Sequence, residues 1–186
     1  AYLIKPNWPG SHPRPQAVNH QAGVTINVPA EAPDKISSTV VLKIKGQPEV
    51  AATPLSQEAD GSVRLLASAA DLHGGVQYES GGGKDNVGYW TDAADTAGWT
   101  FKVNRPGKFK VTAEIAAEAS GKFEIVVGGQ KVAGVAPVTH DYTKFKRVNL
   151  SGTLDLAAGS ATLTVKPVAE GWQPMNLRSV LLTPVK

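Results

Sequence analysis

Residues 86–103 read Asn86-Val87-Gly88-Tyr89-Trp90-Thr91-Asp92-Ala93-Ala94-Asp95-Thr96-Ala97-Gly98-Trp99-Thr100-Phe101-Lys102-Val103. The second half alternates. Trp99, Phe101 and Val103 fall on one side of an extended chain, and Thr100, Lys102 and Asn104 on the other. That is the period-two pattern of a half-buried strand. The first half does not alternate. It sets Tyr89 and Trp90 among Gly, Asp and Thr, where not every large ring can be core. The sequence shows no internal repeat, but aromatic, polar loops followed by strands occur at three places in it.

Working toward the C-terminus, further strands are expected at Phe109–Ile115, Phe123–Val127, Lys146–Leu150, Ala161–Val165 and Ser179–Thr183. Turns at Arg105-Pro106-Gly107, Ala119-Ser120-Gly121, Gly128-Gly129 and Ala158-Gly159-Ser160 separate them. A turn about every 8–12 residues is the rhythm of a β-sandwich or barrel. Working back, Val63–Ala67 is a strand, Ala69–Leu72 a turn of helix, and 73–85 a Gly-rich loop with a short strand at 76–78. The aromatics inside strands, Trp99 and Phe145, are expected in the core. Nearer the N-terminus, Tyr2-Leu3-Ile4, Val24–Val28 and Thr39–Ile44 read as strands, with a Pro-rich loop over 6–15. Three strands are too few to bury two faces. The chain therefore divides into a remnant of a small β-domain over 1–50, a linker over 51–62 and a sandwich over 63–186. The abrupt start at Ala1-Tyr2 reads as a cut through a longer protein.

Composition narrows the chemistry. The 186 residues contain no cysteine, so disulfides, thiolate metal sites and a Cys nucleophile are excluded. The formal net charge is +3, with the cations scattered. Lys144, Lys146 and Arg147 are the nearest to a basic run, and they read as a solvated edge. Nucleic acid is not an expected partner. No apolar run reaches the ~20 residues of a membrane helix, so membrane insertion is not expected either. The composition suits a bacterial protein.

No Gly-x-Ser-x-Gly, His-Glu-x-x-His, phosphate-loop or dinucleotide pattern occurs. Gly81-Gly82-Gly83-Lys84 lacks the Ser or Thr of a phosphate cradle and reads as a flexible loop. Asp85, Asp92, Asp95 and Asp141 are ordinary loop acids, so no catalytic residue is assigned. The four histidines share no metal-ligand spacing, and no metal ligand is assigned. Binding chemistry is better supplied. A sugar offers an apolar C–H face and a rim of hydroxyls, which calls for aromatic platforms bordered by polar side chains. Three loops provide them: Tyr89 and Trp90; His140, Asp141 and Tyr142; Trp172 and Asn176.

These same segments resemble a family. Asn86-Val87-Gly88-Tyr89, Ala97-Gly98-Trp99-Thr100-Phe101 and Arg105-Pro106-Gly107-Lys108-Phe109 resemble the N-[VI]-G-Y … G-D-W … G-x-Y order of family 6 and family 35 carbohydrate-binding modules. Thr139–Phe145, Leu156–Leu163 and Met175–Val180 are similar to their later motifs, in the same order. The resemblance covers about 63–186. It implies a galactose-binding-like, jelly-roll β-sandwich with a ligand cleft made by loops at one end. Tyr89 and Tyr142 would clasp the sugar ring and Asn176 would bond a hydroxyl. Tyr142 stands where the family has Trp, a smaller platform, and Ala97 precedes Gly98-Trp99 where the family has an acid. The family's structural calcium is normally held by Glu-x-Glu near the first strand. Here that stretch is Leu65-Leu66-Ala67-Ser68, without a carboxylate, so no cofactor is expected to be required.

Residues 1–50 are similar to the C-terminal β-domain of family 29 α-L-fucosidases, through Ala1–Ile4, Val28–Asp34 and Val40–Gly46. That implies a secreted or periplasmic glycoside hydrolase as parent, with its catalytic residues outside this chain. The expected function is non-catalytic glycan binding that targets the parent catalytic domain. The competing expectation is a structural tail, packed on that domain or mediating oligomerisation, with the same aromatics buried at an interface.

Overall fold

The structure, a computed structural model, describes residues 2–3, 16–20, 23–28, 30, 42–43, 46, 54–81 and 84–185. The chain divides into two compact units, residues 1–52 and 53–186.

In the first unit β1 (Tyr2–Leu3) pairs antiparallel with β4 (Leu42–Lys43). The strands β2 (Gln16–His20) and β3 (Gly23–Asn27) form a hairpin with Gln16 opposite Asn27. β1 and β3 fall within expected strands, and β4 is a short piece of the third. β2 was not anticipated, because Gln16-Ala17-Val18-Asn19-His20 has only two apolar side chains to signal it. The expected loop over 6–15 lies outside the described residues.

Among its described residues, the second unit is all β apart from a single 3₁₀ turn at Ala67–Ala69. Its strands are β5 (Leu55–Ser56), β6 (Val63–Leu66), β7 (Asp71–His73), β8 (Gln77–Gly81), β9 (Lys84–Gly88) and β10 (Thr96–Val103). There follow β11 (Gly107–Ala116), β12 (Lys122–Val127), β13 (Gln130–Val135), β14 (Lys146–Leu156), β15 (Gly159–Pro167) and β16 (Asn176–Pro184). One layer runs β10-β15-β12-β13, with β5 and β7 both on the outer side of β10. The other runs β14-β11-β16, continued by β6, β9 and β8. The layers join where Ala133 of β13 bridges Ser151 of β14.

The core lies between the layers and follows from the alternation. Trp99, Phe101 and Val103 of β10 are buried, as are Phe109, Val111, Ala113 and Ile115 of β11. From the facing strands come Phe123, Ile125, Leu163, Val165, Leu177, Val180 and Leu182. Trp99 also ties layer to layer, since its Nε1–H donates to the carbonyl of Leu66 at 2.8 Å. A buried indole needs such a partner.

The structure departs from the sequence expectations at several points. Residues 55–62, read as linker, belong to the second unit, and β5 pairs parallel with Phe101–Lys102 of β10. The helical turn falls at 67–69, two residues early, and Asp71–His73 is a strand. Residues 77–81 and 84–88 form a hairpin with Gly81 opposite Lys84, so the short strand expected at 76–78 starts one residue later and is longer, and the Gly-rich loop expected over 73–85 is largely strand. Gln130–Val135 is a strand hidden by its weak alternation and by Gly134. There Phe123 covers the glycine so closely that a Cβ would lie 2.3 Å from its ring. Phe145 precedes β14 and is only half-buried, and the Arg178 guanidinium sits 3.7 Å from its ring centroid. Its place is a cation–π contact at the rim of the sheet, not the core.

Candidate functional site

Three chain segments meet at one end of the β8–β9–β16 side. They enclose a cleft of about 360 Å³ lined by Glu79, Lys84, Tyr89, Trp90, Thr91, Tyr142, Thr143, Pro174, Met175 and Asn176. Each wall is held by local chemistry.

The first wall follows β9. Tyr89 takes φ +55°, a left-handed backbone that a bulky side chain rarely adopts. Its ring is 61% exposed while the next residue, Trp90, is 1% exposed. The reversal between them lets adjacent aromatics serve opposite ends: Tyr89 projects to solvent and Trp90 forms the floor. Trp90 Nε1–H donates to the Asp95 carbonyl at 3.2 Å. The loop is closed by the Asp92 carboxylate, which accepts the Ala94 N–H at 2.8 Å.

The second wall is the loop before β14. Thr139 is buried, accepts the Ala117 N–H through its hydroxyl at 3.0 Å, and donates its own N–H to the Ala117 carbonyl at 2.8 Å. His140 follows at φ +57°, and then the Asp141 carboxylate accepts both the N–H and the hydroxyl of Thr143 at 2.7 Å. Those bonds from Thr143, with Lys144 nearby, hold the Asp141 carboxyl below its ordinary range. Tyr142 is 37% exposed and stands on this braced turn.

Asn176, the first residue of β16, links the walls. It is 8% exposed and its Nδ2–H donates to the Tyr142 carbonyl at 3.0 Å. Its Oδ1 lies against Gly88, where a Cβ would sit 3.1 Å from it and 2.2 Å from the Glu79 carboxylate. Gly88 therefore leaves the room in which Glu79 and Asn176 approach the cleft wall. The Glu79 carboxylate pairs with Lys84 Nζ and accepts from Asn86 Nδ2 at 3.0 Å. The lysine bond is the main cause of a Glu79 pKa below its ordinary value, and it raises that of Lys84 in turn.

The structure brings together four of the seven residues singled out from the sequence: Tyr89, Trp90, Tyr142 and Asn176. The other three do not line the cleft. Trp172 packs on Trp90 beneath it, with ring centroids 5.6 Å apart. Asp141 has its carboxylate committed to capping Thr143, and His140 is exposed on the outside of the same turn. Sequence reading missed Glu79, Lys84, Thr91, Thr143, Pro174 and Met175. For Glu79 and Lys84 the signal was the hairpin itself, which sets Glu79 opposite Asn86 and Lys84 opposite Gly81, so the two charged side chains are diagonal neighbours across the strands. In the 65–68 stretch, Leu65 and Ala67 are buried in the core. Among the described residues, no group of three or more His, Cys, Asp or Glu is placed to hold a metal.

No family model and no curated protein matches this chain. Solved structures do. The family 6 module CsCBM6-3 from Clostridium stercorarium, in complex with cellobiose, aligns with TM-score 0.58 at 15% identity, over 73% of this chain and 100% of the module. A family 35 carbohydrate-binding module from Clostridium thermocellum aligns with TM-score 0.54 at 14% identity, over 64% and 97%. The second unit has the jelly-roll fold. A GH26-CBM35 β-(1,4)-mannanase from Podospora anserina gives TM-score 0.56 at 23% identity over 68% of this chain, which spans only 28% of that enzyme. At these identities the likeness establishes the jelly-roll fold. Among the described residues, no helix is long and apolar enough to cross a membrane.

Proposed function

We propose that the jelly-roll unit is a non-catalytic carbohydrate-binding module and that the cleft at Tyr89 and Tyr142 is its sugar site. The observation that carries this reading is that two tyrosines, both partly exposed, flank one concave site whose rim is polar. Ring faces suit the C–H face of a pyranose, and Glu79, Lys84 and Thr91 supply acceptors and donors for its hydroxyls. Asn176 braces the Tyr142 wall with one amide N–H. Trp90 contributes an apolar floor. The jelly-roll modules named above are themselves carbohydrate-binding modules, and CsCBM6-3 was solved with cellobiose. An exposed, shallow site implies weak to moderate affinity.

The finer reading is that the module directs a parent glycoside hydrolase to glycans outside the cytoplasm. Residues 1–50, by their resemblance, favour a family 29 α-L-fucosidase as that parent.

The test is a glycan-array screen followed by calorimetry on the 186-residue protein, Tyr89→Ala and Tyr142→Ala, each with calcium and with chelator. Binding lost in both variants supports the module. A folded wild-type protein that binds no glycan would sink it and favour a structural tail.

A further inference from the structure

The cleft carries one full ion pair. Among the described residues that line it, Glu79 is the one carboxylate and Lys84 the one cation, and they neutralise each other across the β8–β9 hairpin. The Glu79 side chain is largely covered, at 12% exposed, whereas that of Lys84 is 46% exposed. The carboxylate is fixed on both oxygens: Oε1 takes the ammonium and Oε2 takes the Asn86 amide. Asn86 is itself buried, and Gly88 permits the close approach. A carboxylate held from two sides keeps spare lone pairs directed at the cleft, and an ammonium bound once keeps two N–H donors. The pair thus presents a fixed acceptor next to a donor, with no net charge.

We propose that the Glu79–Lys84 pair makes the cleft selective for an uncharged sugar with two neighbouring hydroxyls, one donating to Glu79 and the next accepting from Lys84. The inference rests on the module reading above. A uronic acid is disfavoured because its carboxylate would have to compete with Glu79 for Lys84, and without that exchange it gives up its hydration to a pair that carries no net charge. Lys84 and Glu79 therefore act as specificity residues, while the tyrosines supply general affinity.

The experiment is calorimetric titration of the full chain with galactose against galacturonic acid, glucose against glucuronic acid, and fucose. Wild type, Glu79→Gln and Lys84→Met are compared, with a thermal melt to verify folding. The wild type is expected to bind at least one neutral sugar about tenfold or more tighter than its acid counterpart. Glu79→Gln removes the competing carboxylate and releases the lysine charge, so the ratio should fall toward one or invert. Lys84→Met should weaken the neutral sugar and gain nothing for the acid. Equal wild-type binding of the two classes, or a ratio unchanged in Glu79→Gln, would overturn the selectivity and leave the module intact. No binding of either class by folded protein would overturn both.

Discussion

Tyr89 and Trp90 are neighbours with opposite fates, and one dihedral separates them. Because Tyr89 is mostly in solvent, Tyr89→Ala should change the unfolding free energy by less than about 1 kcal/mol while reducing glycan affinity at least about tenfold. Trp90→Ala, in contrast, should cost about 3–5 kcal/mol, as for any large buried aromatic. Urea unfolding of the two variants beside calorimetry separates these effects. If Tyr89→Ala proved the more destabilising, the ring would be structural and the cleft reading wrong. The Glu79–Lys84 pair sets a pH window. The Glu79 pKa is depressed from 4.5, so its contribution is complete above that value and is lost as pH falls through the lower, folded one. The Lys84 pKa is raised from 10.5, so its contribution is complete below that value and is lost as pH rises through the higher one. Affinity for a neutral sugar should stay level between these limits and fall on the acid side. A titration series across that range, in which a decline near neutrality appeared, would implicate a different group. Tyr89, Tyr142 and Asn176 were legible as candidates because they are polar-loop aromatics and an amide in a family-like order. Their separation from His140 and Asp141 was not legible, because it depends on which way each side chain leaves a turn.

Several elements are held by contacts distant in sequence. The 57–62 segment is fastened to the β10–β11 turn by Gln57, whose Oε1 accepts the Asn104 N–H at 2.8 Å and the Arg105 N–H at 2.6 Å. Its Nε2–H donates to the Arg105 carbonyl at 3.1 Å, and Arg105 Nη2–H donates to the Ala59 carbonyl at 2.8 Å. Gln57→Ala should therefore lower stability by about 1–2 kcal/mol, and a chelator should leave the melting temperature of the wild type unchanged. A melting temperature that fell with chelator and recovered with calcium would reveal a metal that the carboxylate pattern does not predict. The clasp also accounts for the reading of 51–62 as linker: polar, aperiodic residues give no local signal when their partners are nearly fifty positions away. β13 was missed for a related reason. Gly134 is unremarkable as sequence, and only the Phe123 ring lying over it on the next strand gives it a role. Gly134→Val should cost about 1–3 kcal/mol by overpacking, measured by thermal unfolding.

The whole chain comprises two units with separate cores of contacts, of which residues 53–186 hold the cleft. That portion, produced alone, should melt cooperatively and bind the same glycan as the full chain within about threefold, well inside one tenfold step of 1.4 kcal/mol. A loss of folding would show that residues 1–52 complete its core. Period-two alternation and turn spacing were enough to determine an all-β sandwich, because each is a local property that the pleat reads directly. They also determined most strand centres, from Trp99–Val103 to Ser179–Thr183. Only the tertiary structure decided which strands pair, which loops meet and which charged groups face the site. Glu79 and Lys84 look like two surface residues around a glycine turn until the hairpin sets them side by side and β16 brings Asn176 against them. A binding site is a coincidence in space of segments far apart in sequence. Its members carry no common periodicity, so the chain must fold before they can be recognised together.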